Sequence, residues 1–362
     1  MKTAKTLEEF NGVLADRNLR GQWLADPLLQ ASKDGPKPRG VPFIWKWDVV
    51  YQTLLEACDV FTESLTARRN VNFMNPGLPP GSFGTTHTIV SGVQMVTPGE
   101  IAWSHRHSLG AIRFGIEGSP KLYSAVDGEP MAMEPNDLVL TPNWTWHDHH
   151  NEGDRAGIWL DVLDVPLVAL SLNQTFYEEL GDSSQPHRQN PGEFIRDRAQ
   201  FVRPAWERRP VRNFPFRYGW SDVGPLLERM SHAQGSSYDG TILEYVNPMT
   251  GGSTLPTMAC FIQSLPVGFH GKPHRHTSSA IYHVVQGSGT TLVDGDELEW
   301  SERDNFCVPN WTRHHHVNHS DKPAILFSVT DQALLDHLGL YREDPEDSRY
   351  GAPPVVPANI GR

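Results

Sequence analysis

Residues 99–118 read GEIAWSHRHSLGAIRFGIEG, and this stretch decides the fold class of the 362-residue chain. His105 and His107 are two residues apart, and Arg113 follows them. Side chains two residues apart in a β-strand point to the same face. The stretch therefore predicts two imidazoles on one inward face of a sheet, with Arg113 on that face if the parity continues. Two imidazoles are two-thirds of a metal site, and we expect His147 to be the third ligand.

The same pattern recurs further along the chain. Five residues of the first block recur 169 positions later: Gly99, His105, His107, Ala111 and Gly118 match Gly268, His274, His276, Ala280 and Gly287. A second block, NDLVLTPNWTWHDHHN at 136–151, recurs 167 positions later as RDNFCVPNWTRHHHVN. So many matches in fixed order predict a tandem duplication of one β-domain. The second copy keeps a possible metal triad, His274, His276 and His314.

Composition excludes several classes of protein. The net charge of −12 disfavours general binding to nucleic acid or to an anionic membrane surface. The chain has no apolar run of membrane-spanning length, and its first residues lack the apolar core of a signal peptide. Its three cysteines are far apart in sequence, which argues against a disulfide framework and favours a reducing cytoplasm.

Periodicity and turn signals predict the organisation of the chain. Apolar residues spaced by three and four predict helices before residue 70, and a further helical stretch is expected at 167–181. Short strands between turn signals predict an antiparallel sandwich or barrel. The basic, aromatic stretch at 208–220 favours a surface linker over an arm that contacts another subunit. We expect a helical N-terminal arm (1–70), a first β-domain (71–166), a linker with helices (167–245), a second β-domain (246–330) and a C-terminal helix and tail (331–362).

Each half resembles the cupin domain. The HxH motif and the later PNW-T-x-H-x₃-N motif fit the spacing of the two cupin motifs. The glutamate of the first cupin motif is replaced by Ala111 and Ala280. The glycines of the second motif are replaced by Asn136, Trp144, Arg303 and Trp311. The resemblance implies a fold dominated by β-structure: a bicupin of two antiparallel sandwich or jelly-roll barrels, with a helical N-terminal arm and a helical linker.

The missing glutamate changes the expected metal chemistry. Three neutral histidines would leave the metal its full charge and about three adjacent open positions out of six. A 2-hydroxybenzoate could fill two of them with its carboxylate and phenolate oxygens, which leaves one for dioxygen. A lone histidine would more often be a satisfied polar residue of a strand, but three at this spacing favour a metal site.

Several further residues have both a functional and a structural interpretation. Arg113 suits a carboxylate anchor, with an ion pair to Glu117 as the alternative. His149 could orient a ligand, act in proton transfer or simply pack beside the site. Asp161 could hydrogen-bond a histidine or be a structural aspartate. Arg68 and Arg69 could contact the substrate or be a solvated basic pair.

The sequence is also similar to the gentisate/salicylate 1,2-dioxygenase family, through SGVQMVTPGEIAWSHRHSLGAIRFGIEG, DLVLTPNWTWHDHHNEG and IWLDVLDVP. The resemblance implies an Fe(II)-dependent, homotetrameric enzyme of aromatic-acid catabolism. Such an enzyme opens the ring between the carboxyl-bearing and adjacent hydroxylated carbons, and gentisate gives maleylpyruvate. It implies iron ligands at His105, His107 and His147, and it implies catalytic or substrate-binding roles for Arg68, Arg69, Val90, Gly92, Gln94, Arg113, His149 and Asp161. Val90 is smaller than the residue relatives carry, which leaves room for a 5-substituent or a second ring.

Rival functions remain at this point. One is a 1-hydroxy-2-naphthoate dioxygenase, another is a Zn or Mn cupin isomerase or decarboxylase, and a third is a non-catalytic storage bicupin. The intact triads argue against storage, and Arg113 argues against the isomerase. The counterpart of Arg113 in the second half is Tyr282, so we expect that half to bind metal but to do little ring cleavage.

Overall fold

A computed structural model describes residues 6–25, 35–61, 69–181, 183–190, 192, 214–233 and 235–345. The chain divides into two compact units, residues 1–37 and residues 38–362. In the first unit, helix α1 (Leu7–Asp16) begins at a capping box in which Thr6 and Glu9 each accept a hydrogen bond from the other's backbone amide. None of the helices in the described ranges is long and apolar enough to cross a membrane.

The second unit consists mainly of β-strands. Its helices are α2 (Trp47–Val60), α3 (Trp220–Ser231) and α4 (Gln332–His337), with a π-helical turn at Pro166–Ser171. The strands before α3 are β1 (Phe43–Trp45), β2 (Arg69–Asn72), β3 (Val90–Val96), β4 (Ile101–His107), β5 (Ala111–Glu117), β6 (Ser119–Val126), β7 (Glu129–Met133), β8 (Leu138–Thr141), β9 (His147–Asn151), β10 (Gly157–Leu163), β11 (Tyr177–Glu179) and β12 (Phe216–Tyr218). The strands after α3 are β13 (Thr241–Glu244), β14 (Ala259–Leu265), β15 (His274–His276), β16 (Ala280–Gln286), β17 (Ser288–Val293), β18 (Asp296–Ser301), β19 (Asn305–Val308), β20 (His314–Asn318), β21 (Ala324–Thr330) and β22 (Glu343–Pro345).

The described strands pair into four antiparallel sheets, two in each copy of the repeat. The first half has the sheets β12-β8-β5-β10-β3-β2 and β11-β4-β9-β6-β7. The second half has β1-β19-β16-β21-β14-β13 and β18-β17-β20-β15-β22. Each half is thus a two-sheet sandwich rather than a closed barrel.

The six-stranded sheets of the two halves pack against each other. The rings of Phe114 on β5 and Phe327 on β21 stack with their centroids 4.0 Å apart. Both belong to the largest hydrophobic cluster, which also contains Ile112 and Leu140 of the first half and Ile281 of the second. One shared core therefore joins the two halves.

The duplication extends beyond the two motif blocks. The segment β1–α2 starts FIWKW and the segment β12–α3 starts FRYGW, and each contributes a buried leucine, Leu54 or Leu227, to the shared core. β1 pairs with β19 of the second half, whereas β12 pairs with β8 of the first. The strand–helix segment that precedes each half therefore pairs with a strand of the other half.

The predicted linker is more β-structured than expected. The helix predicted at 167–181 is wrong, because only the single π-helical turn forms. Then Tyr177–Glu179 becomes β11 and pairs with His105–His107 of β4. The C-terminal tail likewise adds β22 beside β15. Both additions cover the open edge of a strand that carries two histidines, which satisfies backbone groups that the edge would expose.

Two aspartates connect the halves reciprocally. Asp164 accepts from the Gly110 amide at 2.9 Å and from the Thr257 hydroxyl of the other half at 2.7 Å. At the equivalent position, Asp331 accepts from the Ser279 amide at 2.8 Å and from the Thr88 hydroxyl, again of the other half, at 2.7 Å. The interface therefore has an approximate two-fold arrangement that follows from the duplication.

Burial raises the pKa of Asp164 from 3.8 to about 6, although its hydrogen bonds to Thr257 and Gly110 oppose the shift. The folded protein therefore binds the proton more tightly than the unfolded chain, so Asp164 lowers stability as pH rises from about 4 to 6. The difference corresponds to about 3 kcal/mol. The amide of Asp164→Asn can keep both contacts without a charge. We therefore expect the free energy of unfolding of this variant, relative to that of the unmodified protein, to rise by up to this amount between pH 4.5 and pH 7.5 in denaturant titrations. Asp296→Asn, on an exposed hairpin strand, is the control, and equal pH profiles for the protein and Asp164→Asn would contradict the assignment.

The four residues that replace cupin-motif glycines keep a glycine-like backbone. Asn136, Trp144, Arg303 and Trp311 have φ angles of 68°, 67°, 73° and 59°. This left-handed region costs a non-glycine residue roughly 1–2 kcal/mol. The motif's turns are therefore retained, and the sequence departures do not alter the geometry that leads into β9 and β20.

Candidate metal centre

Three buried histidines converge inside the first half. His105 and His107 extend from β4 and His147 from β9, and one ring nitrogen of each lies within 4.8 Å of the others. The ring centroids of His105 and His147 are 4.2 Å apart, and those of His107 and His147 are 4.8 Å apart. His105 pairs directly with His147 across the sheet. The structure thus assembles the triad predicted from parity and the repeat.

The triad is oriented by the backbone. In each ring Nδ1 lies 2.9–3.0 Å from a carbonyl oxygen: that of Trp103 for His105, Leu109 for His107 and Thr145 for His147. Nδ1 must carry the proton to make these bonds, which leaves Nε2 as the lone pair available to a metal.

His147 shows that the triad suits a cation. Its Nε2 is buried and has no hydrogen-bond partner among the described residues. Burial, together with neighbouring groups that include His105 and Arg113, holds the pKa of His147 well below its ordinary value. The imidazole is therefore neutral, as a metal ligand must be.

Ala111 occupies the position where the cupin pattern has glutamate. It is fully buried at the start of β5, opposite Thr141 on β8 and Leu163 on β10. It offers no ligand atom. The triad is therefore the protein's donor set at this end of the sandwich, among the residues described.

Arg113 and Asp161 form a buried ion pair on the opposing sheet. They face each other across β5 and β10, and Arg113 Nε lies 3.7 Å from Asp161 Oδ1. Asn70 donates to Asp161 Oδ2 at 3.0 Å, and Arg113 donates to the Thr141 hydroxyl. The alternative pairing of Arg113 with Glu117 is wrong, because Glu117 pairs with Arg303 at 2.6 Å.

This ion pair is poised to receive an anion. Burial lowers the pKa of Arg113 and raises that of Asp161, and in each case the partner's charge opposes the shift. Arg113 Nε and Asp161 Oδ1 are buried without a hydrogen-bond partner in the described part of the chain. A buried guanidinium nitrogen without a hydrogen-bond partner is suited to a carboxylate.

Four other residues that were predicted to line the pocket lie beside Asp161 or beside His147. Register places Val90, Gly92 and Gln94 on β3 on the face that carries Asp161. A side chain at Gly92 would come within 2.4 Å of Asn70 Oδ1, so glycine is needed for β2 to lie alongside. His149 bonds Ser124 Oγ through Nδ1 at 2.6 Å, and its ring centroid lies 6.0 Å from that of His147.

The arginine pair near residue 69 does not join this group. Arg69 lies on the opposite face of β2 from Asn70, where it donates to the Phe61 carbonyl at 3.0 Å and pairs with Glu100. The expected substrate contact for Arg69 is thus corrected, because register turns its side chain away. Arg68 lies outside the described residues.

The second half has a different site. His274, His276 and His314 also bring ligand atoms within 4.8 Å. His274 Nε2, however, lies 3.6 Å from Asp239 Oδ1, and the adjoining cavity of about 260 Å³ is lined by acids that include Asp239 and Glu343. Burial raises the pKa of Asp239 to about 6.

The substitutions that separate the halves are coupled. Where the first half aligns Gly92, Asp161 and Arg113 across three strands, the second aligns Phe261, Ser328 and Tyr282. The ion pair is therefore missing from the second half, where these three residues line the acidic cavity instead. Asn70 and Thr141 were not predicted as site residues. Thr141 could have been found by comparing the halves, since its counterpart is Val308.

Comparisons with known proteins agree with the duplicated fold. A model of the cupin domain matches residues 92–163 and 261–330. The chain is 44% identical over 356 residues to a 1-hydroxy-2-naphthoate 1,2-dioxygenase of Nocardioides sp. (strain KP7). The alignment covers 98% of this chain and 92% of that protein. It is 39% identical over 354 residues to a 5-aminosalicylate 1,2-dioxygenase of Comamonas sp., covering 96% and 91%.

A solved structure matches over nearly the whole chain. The crystal structure of a salicylate 1,2-dioxygenase from Pseudaminobacter salicylatoxidans superposes with a TM-score of 0.83 at 25% identity, covering 96% of this chain and 100% of that chain. The tandem duplication predicted from the repeat and the bicupin fold implied by the resemblance are both confirmed. The chain belongs to the gentisate/salicylate 1,2-dioxygenase family of ring-cleaving, non-haem iron enzymes.

Proposed function

We propose that this protein is an Fe(II)-dependent dioxygenase that cleaves gentisate or a close 2-hydroxybenzoate, such as salicylate or a 5-substituted salicylate. The bond that breaks joins the carboxyl-bearing carbon to the adjacent hydroxylated carbon, and gentisate would give maleylpyruvate. The observation that carries the proposal is the buried guanidinium of Arg113, whose Nε has no hydrogen-bond partner among the described residues, in the same sandwich as an oriented three-histidine site.

One iron would be held by Nε2 of His105, His107 and His147. Bound Fe(II) would supply the redox chemistry through which dioxygen opens the ring. Arg113 would bind the substrate carboxylate, and Asp161 and Asn70 would hold the guanidinium in place. Ala111 would leave the space that the substrate's two oxygens need. His149, fixed by Ser124, would stand ready to hold a proton near the substrate hydroxyl.

The second triad would hold a metal without ring cleavage. Its cavity is acidic, and Tyr282 replaces the arginine, so a carboxylate substrate would meet charge of its own sign.

We further propose a homotetramer in a reducing cytoplasm. Free Cys58, Cys260 and Cys307 support the compartment. Light scattering tests the assembly.

Oxygen uptake by Fe(II)-loaded protein tests the function. Gentisate, salicylate, 5-aminosalicylate, 5-nitrosalicylate and 1-hydroxy-2-naphthoate form the panel, and the last is included because the naphthoate enzyme of Nocardioides is similar along the whole chain. We expect oxygen uptake with at least one monocyclic 2-hydroxybenzoate, and the spread of rates ranks the substrates. The opposite result is no oxygen uptake with any of these compounds, combined with conversion of one of them by Zn- or Mn-loaded protein in the absence of oxygen. That result would favour an isomerase or decarboxylase.

Ala111→Glu restores the carboxylate that most cupins have. We expect iron content close to that of the unmodified protein and a fall in turnover of at least about 100-fold, because the new ligand would fill a position needed by substrate or oxygen. Iron analysis and oxygen uptake measure both effects. Ala280→Glu is the matched control, since Ala280 is equally buried at the equivalent position. Unchanged turnover in folded Ala111→Glu would contradict the role of this gap.

A further inference from the structure

A third group of potential metal-ligating side chains lies on the back of strand β9. His147 and His149 point into the sandwich, so Asp148 and His150 point to the other face. There His187, from the segment after β11, joins them, and one ligand atom of each residue lies within 4.8 Å of the others. This cluster, Asp148–His150–His187, has no part in the proposed ring cleavage.

The distances from Asp148 to the two histidines are those expected between ligands of one cation. Asp148 Oδ1 lies 3.2 Å from His150 Nε2 and 3.5 Å from His187 Nε2. Zinc bonds of about 2.0–2.1 Å at a tetrahedral angle place neighbouring ligand atoms about 3.3 Å apart. Asp148 Oδ1 and His150 Nε2 are buried within ion-pair distance of each other, and neither atom has a well-directed hydrogen bond within the described ranges.

The carboxylate is oriented by its second oxygen. Asp148 is fully buried, and its Oδ2 accepts from Ser104 Oγ at 2.5 Å and from the Gln185 amide at 3.1 Å. These bonds turn Oδ1 towards the two imidazoles, as outer partners do at metal sites.

The histidines are also held in place. The His150 ring stacks on Tyr123 with centroids 4.8 Å apart. The segment that carries His187 is fixed on either side: the Gln185 side chain donates to the Ala125 carbonyl at 2.9 Å, and the Arg188 amide donates to the Gly128 carbonyl at 2.7 Å. The His187 side chain is 28% exposed, which gives a cation an entry path.

We propose that Asp148, His150 and His187 bind a divalent cation of the zinc class, with solvent as the fourth ligand. Two imidazoles and one carboxylate suit Zn²⁺ and its neighbours rather than Mg²⁺ or Ca²⁺, which prefer oxygen. The cation connects β9, the strand that supplies His147, to the segment that follows β11. Its role is structural, and the second half has no equivalent, because His315 and Val317 stand where Asp148 and His150 do.

The test is the number of zinc ions retained by the full-length protein. Apo-protein is dialysed against micromolar Zn²⁺ and analysed by mass spectrometry for metal. His187→Gln is the main variant because its side chain is the most exposed of the three, and His232→Gln, at the end of α3, is the matched control. We expect His187→Gln and His150→Gln to retain one equivalent less per chain than the unmodified protein and the control. We also expect a smaller rise of melting temperature with Zn²⁺.

Activity separates this site from the proposed iron site. Iron-loaded His187→Gln should keep oxygen uptake within about twofold of the unmodified protein, since His187 does not face the sandwich interior. Equal zinc content in folded His187→Gln and His232→Gln would overturn the proposal and leave the cluster as a network of ion pairs. The number of zinc ions retained does not depend on which substrate is cleaved. The proposed cation site can therefore be refuted without refuting the proposed function, and the reverse also holds.

Discussion

His147→Ala is expected to lose iron from the first half and to abolish oxygen uptake with every 2-hydroxybenzoate. The change removes a proposed ligand whose Nε2 is buried and has no hydrogen-bond partner among the described residues, and two histidines on one strand would not replace it. Loss of an outer partner of a metal ligand already costs 10–100-fold in affinity or activity. We therefore expect turnover to fall by more than about 100-fold, measured with an oxygen electrode beside iron analysis of the same sample.

His314→Ala is the control because the repeat provides a near-identical environment. His314 is equally buried, and its Nδ1 lies 3.1 Å from the Thr312 carbonyl, as that of His147 lies near Thr145. We expect His314→Ala to lose any metal of the second half and to keep turnover. Retention of full activity by folded His147→Ala, or its loss in both variants alike, would contradict the division of roles between the halves.

The convergence of the three histidines could be predicted from local sequence. Strand parity places His105 and His107 on one face, and the repeat offset points to His147 without any knowledge of long-range contacts. The missing glutamate at Ala111 was also visible in the motif. These inferences succeed because each depends on short-range geometry that a β-strand imposes.

The failures concern pairings between distant segments. Arg69 was expected in the pocket, but the register of β2 against β3 turns it outward, and a shift of one residue reverses every side chain. The partner of Arg113 is Asp161 rather than nearby Glu117, because β5 and β10 are neighbours in the sheet. The exchange of the β1–α2 and β12–α3 segments was not predicted, because their shared F-x-aromatic-x-W pattern is short and lies outside the motif blocks.

Arg113→Gln is expected to lower kcat/KM by about 10²- to 10³-fold while iron content stays unchanged. A charge-assisted, two-pronged contact to a buried carboxylate is worth about 3–4 kcal/mol, and glutamine keeps the size of the side chain but not the charge. Steady-state oxygen uptake against substrate concentration measures the effect, and we expect most of it in KM. Tyr282→Gln, at the equivalent position of the second half, should leave kcat/KM within about twofold.

A second variant decides whether Arg113 acts on the substrate or only neutralises Asp161. Burial raises the pKa of Asp161, and the charge of Arg113 opposes that shift, so removing the arginine leaves a carboxyl group that is even harder to ionise. If neutralisation were its whole role, Arg113→Gln combined with Asp161→Asn would restore activity, because no buried charge would remain. If Arg113 binds the substrate carboxylate, the double variant stays as impaired as Arg113→Gln. We expect the second result, because the Nε atom of Arg113 lies 3.7 Å from Asp161 Oδ1 without a hydrogen bond in the described part of the chain, and a substrate carboxylate would satisfy this buried donor.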